Sequence, residues 1–185
     1  TLGSWTATTT LPSNRTGHTM TINNGVMHVI GGCTVFSSGC TTWTNNVHSA
    51  PVNTDGTIGT FTATTNITNT KWNHSTVAYN GFLYVLDGLN ASNRQGTEYA
   101  RMNTGGVGTT LAWTSSANSL GTATTDHASV AYNGYLYTVG GCTSYTSSNC
   151  TAFSNAVQYA PINKGGTVGT SATTTSFTTG RYGHA

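Results

Sequence analysis

The stretch TDHASVAYNGYLYTVGGCTSYTSSNCTAFSNAVQYAPIN, residues 125–163, decides the fold because its outline also occurs at residues 16–53 and 72–103. An Asn-Gly pair follows six residues after the histidine that opens each copy. With a fourth near the end of the chain, these histidines are His18, His74, His127 and His184, at spacings of 56, 53 and 57 residues. Several features that recur in one order with a period near 50 residues indicate a tandem repeat.

Each of the three copies also contains an apolar run that ends in a small or acidic residue plus glycine. The runs are VMHVIGG at 26–32, FLYVLDG at 82–88 and YLYTVGG at 135–141. The glycines that end them are Gly31, Gly32, Gly88, Gly140 and Gly141. Each repeat closes with a segment such as APVNTDGTIGT at 50–60 or APINKGGTVGT at 160–170. This pattern describes an architecture and identifies no ligand.

Four strands are expected in each repeat. The Asn-Gly pair between the first and second strands favours a tight type I′ hairpin. A loop of variable length precedes the third strand, and a glycine-containing turn (55–56, 105–106 and 165–166) leads to a Thr-rich fourth strand. The expected ranges are 18–23, 26–30, 47–52 and 60–65 in the first repeat, 74–79, 82–86, 99–102 and 110–115 in the second, and 127–132, 135–139, 157–162 and 170–175 in the third. Short strands with turn signals between them, and no convincing helical period, predict an all-β chain.

The composition limits the classes of function. Only 5% of the 185 residues are charged, while 40 are Thr, 17 are Ser and 23 are Gly. Nine Tyr, four Trp and regular apolar runs argue for a packed β protein rather than a disordered one. The net charge of +2, carried by scattered Lys and Arg, does not predict a nucleic-acid surface. No apolar run of about 20 residues exists, so we expect no membrane insertion.

The four cysteines fall in matching loops. Cys33 and Cys40 follow the second strand of the first repeat, and Cys142 and Cys150 occupy the same loop of the third. The second repeat lacks both cysteines, as paired thiols would predict, and the two loops contain no histidine that could complete a zinc site. We therefore expect disulfides 33–40 and 142–150 and an oxidising, extracytoplasmic location.

The two ends of the chain repeat each other. Residues 1–19 align with 167–185 at a constant offset of 166. The expected organisation is 1–14 as the last strand of a preceding unit, then units at 15–70, 71–124 and 125–180, and 181–185 as the start of the next. This pattern suggests an excerpt from a longer array. The alternative is that several copies meet to complete a ring.

Four antiparallel strands per repeat, with Gly31-Gly32 and Gly140-Gly141 after apolar strands, resemble the blades of kelch-type β-propellers. The resemblance covers essentially the whole chain, with Asp87-Gly88 as a degenerate copy of the glycine pair. The expected Tyr and Trp spacing of kelch units is incomplete, since only Tyr99 and Tyr159 recur in the third strand. The closing segments look like those of bacterial tandem kelch-like surface proteins. Because propellers need about 4–8 blades, the resemblance implies part of a larger ring or array.

The repeated histidines admit two interpretations. With Arg15, Lys71 and Arg181 three residues before three of them, they could form a cationic ring suited to anions, sugars or copper. The favoured interpretation is structural: one residue recurs because one joint recurs, for instance a side chain that bonds the backbone of the next blade. No metal or other cofactor is expected.

The variable loops are the expected binding region, because loops carry function more often than the scaffold does. Phe36, Trp43, Tyr145 and Phe153 could stack on sugar rings or fill a pocket of a partner. They could equally form small local cores beside the disulfides. If function lies on the third repeat, we expect it in residues 143–153.

These observations favour a non-catalytic extracellular propeller segment that serves adhesion, recognition or assembly at a cell surface. Its partner would be a glycan or protein ligand on a cell surface, or further copies in a larger ring or filament. The alternative is a structural subunit of an extracellular filament or sheath. A galactose-oxidase-like copper enzyme is less favoured, since the resemblance implies a Tyr joined to a Cys in that chemistry and all four cysteines are expected in disulfides.

Overall fold

The computed structural model describes residues 4–89, 96–102, 113–122, 124–146 and 149–184. The turn expected at 105–106 and the first part of the strand expected at 110–115 lie outside these ranges. The three successive four-stranded sheets that the described residues form are called blades 1, 2 and 3.

The described residues form three four-stranded antiparallel sheets and two separate two-stranded hairpins. Blade 1 contains β1 (Thr19–Asn23), β2 (Val26–Ile30), β5 (Val47–Pro51) and β6 (Thr62–Ala63). Blade 2 contains β7 (Ser75–Tyr79), β8 (Phe82–Leu86), β9 (Glu98–Arg101) and β10 (Thr114–Ser115). Blade 3 contains β11 (Ala128–Tyr132), β12 (Tyr135–Val139), β15 (Val157–Pro161) and β16 (Ala172–Thr174). The hairpins are β3 (Cys33–Phe36) with β4 (Cys40–Trp43), and β13 (Cys142–Thr146) with β14 (Asn149–Phe153). The all-β prediction is confirmed.

The Asn-Gly pairs form the tight turns that the sequence predicts. Asn24 and Gly25 both have positive φ, 48° and 72°, and Asn23 pairs directly with Val26 across the turn. Positive φ at both central residues is the signature of a type I′ turn, whose twist matches that of the flanking strands. Blades 2 and 3 repeat this geometry, so the register of the first two strands is the same in each blade.

Three features differ from the sequence-based expectation. The loops expected after β2 and β12 are two-stranded hairpins, because each disulfide brings two Thr-rich extended segments into hydrogen-bonding register. The fourth strands are only two or three residues long, since each is an exposed edge with one neighbour. Residues 4–14, expected as a strand of a preceding blade, form no strand.

Both expected disulfides are confirmed. Cys33 bonds Cys40 with 5.7 Å between their Cα atoms, and Cys142 bonds Cys150 with 5.8 Å. Each disulfide therefore closes one hairpin by joining its two strands. Disulfides persist in oxidising compartments, so the protein belongs to an oxidising environment.

The hydrophobic core lies between the blades rather than within them. One cluster joins blade 1 to blade 2, and a second joins blade 2 to blade 3. The first contains Ile30, Val47, Ile67, Leu83, Val85, Ala100, Met102 and Trp113, and the second contains Val77, Tyr84, Leu86, Leu136, Ala160 and Val168. The first strands also meet, since β7 contacts β1 on one side and β11 on the other. Blade 2 is thus covered on both faces, while blades 1 and 3 each keep one outer face.

Candidate functional site

One end of the blades is tied together by a relay of backbone hydrogen bonds. The N–H of Asn73 donates to the carbonyl of Gly17 at 2.9 Å, Asp126 donates to Asn73 at 2.9 Å, and Gly183 donates to Asp126 at 2.8 Å. These four residues directly precede the repeated histidines, and all have φ between 53° and 64°. Both hairpins leave their blades at this same end. We call it the hairpin end.

Two of the repeated histidines, His74 and His127, are joints between blades. His74 Nε2 lies 2.8 Å from the hydroxyl of Thr19 in blade 1, and His127 Nε2 lies 2.8 Å from the hydroxyl of Ser75 in blade 2. A side chain at Gly31 would meet the His74 ring at 2.9 Å, so the glycine pair leaves the space that the imidazole of the next blade occupies. The partner suggested by the sequence was wrong. The bond goes to a hydroxyl of the preceding blade, not to the backbone of the following one.

His74 and His127 do not supply positive charges to a cationic ring. Burial, reinforced by the nearby Lys71, His127 and His18, lowers the pKa of His74 to about 3. Burial also lowers the pKa of His127 to about 4, with His184 acting in the same direction. Both imidazoles are therefore neutral near pH 7. Neutral rings bonded to hydroxyl groups hold the blades in register and present no positive charge to a ligand.

Of the basic residues three positions earlier, Lys71 is engaged inside the protein, Arg15 is partly buried and Arg181 is exposed. Lys71 is fully buried, and its Nζ donates to the carbonyls of Asp87 at 3.0 Å and Gly96 at 2.7 Å and pairs with Glu98 at 3.7 Å. Arg15 donates to the carbonyl of Gly31 at 3.2 Å. The guanidinium of Arg181 lies 4.5 Å from the centre of the Phe177 ring. Lys71 is therefore not available to an anion, whereas Arg15 and Arg181 keep exposed surface.

An aromatic row crosses the hairpin end over all three blades. The Trp72 ring lies 6.4 Å from Phe36 of the blade 1 hairpin and 6.3 Å from Tyr145 of the blade 3 hairpin. Both contacts are tilted by 57°. Trp72 is buried, since it packs against Gly17, where any side chain would overlap the indole. Phe36 is 54% exposed and Tyr145 is half-buried, so the row presents two accessible rings on a fixed indole.

A polar cluster adjoins the row. The Tyr145 hydroxyl donates to Asp126 Oδ2 at 2.5 Å, and Thr125 Oγ1 donates to the same oxygen at 3.2 Å. Asn73 Nδ2 lies 3.5 Å from the Tyr145 hydroxyl. Burial and the Asp126 carboxylate raise the pKa of Tyr145 to about 12, so the phenol remains a donor. On the other side of Phe36, a shallow hollow of about 220 Å³ is lined by Arg15, Thr16 and Thr34, among others.

The four aromatic residues expected to bind are divided by the structure. Phe36 and Tyr145 belong to the row. Trp43 lies half-buried on β4, and Phe153 stacks on Tyr182 with ring centres 5.1 Å apart, outside the row. The sequence-based prediction missed Trp72, Asn73 and Asp126 because they belong to the repeated scaffold. A signal existed: blade 1 has Thr16 and Gly17 at the positions of Trp72 and Asn73.

Sites and segments of two other kinds are absent from the described residues. In these ranges, no group of three or more His, Cys, Asp or Glu side chains is placed to hold a metal ion. No helix in this part of the chain has the length and apolar character needed to cross a membrane.

Comparison with known proteins supports the fold. No protein-family model matches the chain, and no curated protein matches it. Among 131 solved chains that match is the structure of YjhT, a kelch-repeat propeller protein. It superposes with a TM-score of 0.73 and 16% sequence identity, over 97% of this chain and 57% of YjhT. At this identity the likeness establishes the fold: the three sheets are blades of a kelch-like propeller. The chain spans little more than half the length of the structure it matches.

Proposed function

We propose that the chain is a non-catalytic segment of an extracellular kelch-like propeller of the bacterial tandem surface-protein type, and that it binds a glycan at a cell surface through its hairpin end. The observation that carries the proposal is the aromatic row of Phe36, Trp72 and Tyr145, assembled from three blades. The sequence predicts separate binding loops, each on its own blade. The row instead makes one continuous surface.

The chemistry of the row suits a sugar. An exposed ring such as Phe36 offers a flat apolar face to the C–H groups of a pyranose, while the half-exposed Asp126 carboxylate and the Asn73 amide can exchange hydrogen bonds with its hydroxyl groups. The surface is also rigid, because disulfides close both hairpins and Trp72 is packed against Gly17. Rigidity lowers the entropy cost of binding.

The acids and cysteines of this chain favour binding over catalysis. Hydrolysis of a glycosidic bond generally needs two carboxyl groups facing the same bond. Asp126 lies at the hairpin end, whereas Glu98 and Asp87 are buried in blade 2 and Asp55 lies in a turn of blade 1. All four cysteines are in disulfides, which leaves none for the Tyr–Cys link of a galactose-oxidase-like copper site. The disulfides also support a location outside the cytoplasm.

The test is a glycan array followed by titration calorimetry with the best sugar found. We expect Phe36→Ala to weaken binding about tenfold, since an aromatic stacking contact contributes roughly 1–1.5 kcal/mol. Asp126→Asn should weaken it as well, because the carboxylate becomes a poorer acceptor.

Val35→Ala is the matched control, since Val35 is 53% exposed on the same strand but makes no ring contact with Trp72. It should leave the affinity unchanged. The proposal fails if no glycan binds, or if a sugar binds equally well to the Phe36 and Asp126 variants. A protein ligand captured through the same residues would replace the glycan and keep the site.

A second role, assembly with further copies, is favoured by a different observation: the outer faces of blades 1 and 3 carry exposed apolar side chains.

A further inference from the structure

We propose that the outer face of blade 3 binds the outer face of blade 1 from a second copy of this chain, head to tail, and that the contact repeats the one between blades 2 and 3. This surface is separate from the hairpin end, and the inference does not rest on glycan binding.

The contact between blades 2 and 3 has two sides. We call the aromatic surface on blade 2 the socket and the glycine turns of blade 3 that pack against it the plug. On the blade 2 side, Tyr79 and Phe82 receive blade 3 together with the stacked pair Tyr84 and Tyr99, whose ring centres are 6.3 Å apart at 26°. On the blade 3 side, the N–H of Gly134 donates to the Tyr79 hydroxyl at 2.8 Å. Gly166 lies so close to the Phe82 ring that any side chain there would overlap it.

Blade 3 repeats the socket on its outer face. Tyr132 and Tyr135 take the places of Tyr79 and Phe82, and Tyr137 stacks on Tyr159 at 6.3 Å and 29°. The geometry of the socket is thus already formed without an occupant. Tyr132 is 72% exposed, whereas Tyr79 is packed against the second core cluster.

Blade 1 repeats the plug on its outer face. Gly25 forms the turn that Gly134 forms in blade 3, with the same 2.7 Å bond from the third strand to its carbonyl. Gly56, at φ 84°, takes the place of Gly166, at φ 88°. A side chain at Gly56 would meet nothing within 4 Å. Gly166 of blade 3 therefore packs against Phe82, whereas the corresponding Gly56 of blade 1 faces open space.

The first strands show that these two faces match each other. Inside the chain, two hydroxyl groups meet at each blade junction, Thr19 with Thr76 at 2.5 Å and Ser75 with Ser129 at 2.7 Å. At the outer faces both corresponding residues are apolar. They are Ala128 on blade 3 and Met20, which is 65% exposed, on blade 1. The joint change leaves no unpaired hydroxyl in this contact, but Ala128 also offers no hydroxyl to the repeated histidine of the next unit, and the buried Nε2 of His184 has no hydrogen-bond partner among the described residues.

Two copies joined in this way supply six blades, within the range of about 4–8 in which propellers close. A head-to-tail contact closes into a ring when its rotation permits. Two segments compete for one place in this assembly. Residues 175–184 of one copy and residues 9–18 of the other align at the same position of the repeat. Residues 175–184 are exposed or partly exposed, and their displacement breaks the bond from Gly183 to Asp126 and the stack of Phe153 on Tyr182.

Sedimentation velocity of the disulfide-bonded chain over a range of concentrations tests the proposal. We expect a species of twice the 19.2 kDa chain mass at high concentration. Ile22 is 55% exposed on the first strand of blade 1, two residues after Met20. Tyr132→Asp on blade 3 or Ile22→Asp on blade 1 should each weaken association more than about tenfold, since either places an unpaired charge in the contact. A mixture of the two variants should form a 1:1 pair through the remaining intact contact. Val35→Asp, on an equally exposed apolar residue of the hairpin, should leave association unchanged.

A chain that ends after Thr174 should associate more tightly, because the competing segment is gone. The proposal is overturned if the full chain remains monomeric at every concentration, if association ignores both face substitutions, or if the shortened chain gains nothing. It is also overturned if the mixed variants fail to pair. A symmetric contact, in which one face meets its own copy, would let one of the two variants dimerise normally.

Discussion

In each blade, a buried polar residue on the third strand contacts the segment that precedes the first strand. The residues that make this contact differ among the three blades. In blade 1, Arg15 lies 3.4 Å from His48. In blade 3, the Gln158 amide exchanges two bonds with the backbone of Thr122, at 2.8 and 3.2 Å. Blade 2 uses an ion pair instead. Polar groups at this depth must be paired, so the residue in the third strand and its partner have to change together.

The Lys71–Glu98 pair gives the sharpest test of this rule. Burial lowers the pKa of Lys71 to about 8, against the opposing effect of Glu98 and Asp87. Glu98→Gln removes the counter-charge from a lysine that is fully buried, and we expect a loss of about 3 kcal/mol in the free energy of unfolding near pH 7. The loss should be smaller near pH 8.5 than near pH 6. The variant lowers the pKa of folded Lys71 further below its unfolded value, so deprotonation restores stability as the pH rises.

Blade 3 supplies the control for this variant. It carries Thr124 and Gln158 at the positions of Lys71 and Glu98. The double variant Lys71→Thr, Glu98→Gln therefore gives blade 2 the uncharged residue pair of blade 3. Denaturant unfolding should show the double variant more stable than Glu98→Gln alone. Equal stability of the two variants would contradict a role for the buried charge.

At the scale of the elements, local patterns determined what could be predicted. The second strands were located to the residue because each is an apolar run after an Asn-Gly turn, and both signals lie within a few neighbouring residues. The fourth strands were expected too long, because their length depends on pairing with a strand more than ten residues away. The hairpins were expected as loops, since a stretch such as CTSYTSSNC lacks an apolar alternation. The disulfide, rather than a hydrophobic face, holds its strands together.

The disulfides should therefore stabilise the hairpins and the aromatic row together. Closing a loop of this size contributes roughly 2–3 kcal/mol in the chain-entropy model. We expect Cys33→Ser, Cys40→Ser to lower the free energy of unfolding by about 2 kcal/mol and to weaken ligand binding, because Phe36 is no longer held against Trp72. The matched pair Cys142→Ser, Cys150→Ser should act likewise through Tyr145. An unchanged unfolding midpoint after reduction of both disulfides would contradict this.

The candidate site was only half predictable for a related reason. Phe36 and Tyr145 could be named because they are aromatic residues in loops that vary between repeats. Trp72 and Asp126 occupy scaffold positions, and their role depends on how neighbouring blades approach one another. That approach is set by the core between the blades and by Gly17, whose missing side chain admits the indole. Such a contact joins residues about 55 positions apart, and no local pattern records it.

At the scale of the whole molecule, stability depends on how far the faces of each blade are buried against neighbouring blades. The second strand of blade 2 is buried along nearly its whole length because a blade covers it on each side. The same strand in blade 3 alternates between buried and partly exposed side chains, since one face has no neighbour. Burial of both faces of a second strand thus requires a neighbouring blade on each side. The apolar residues on the outer faces are in place for such neighbours.

Two glycines with nearly the same backbone conformation can separate the cost of conformation from the cost of contact. Gly166→Ala places a methyl group in the Phe82 ring, and Gly56→Ala places one in open space, while φ is 88° and 84°. Both should lose roughly 1 kcal/mol through the backbone, and Gly166→Ala should lose about 1–3 kcal/mol more through overpacking. Denaturant unfolding of the monomer measures that difference, and equal losses would mean that the blades yield at this junction. In the proposed pair, Gly56 lies against the Tyr135 ring of the other copy, as Gly166 lies against the Phe82 ring. Gly56→Ala must therefore weaken association beyond its small effect on the monomer, because the methyl group meets that ring only in the pair.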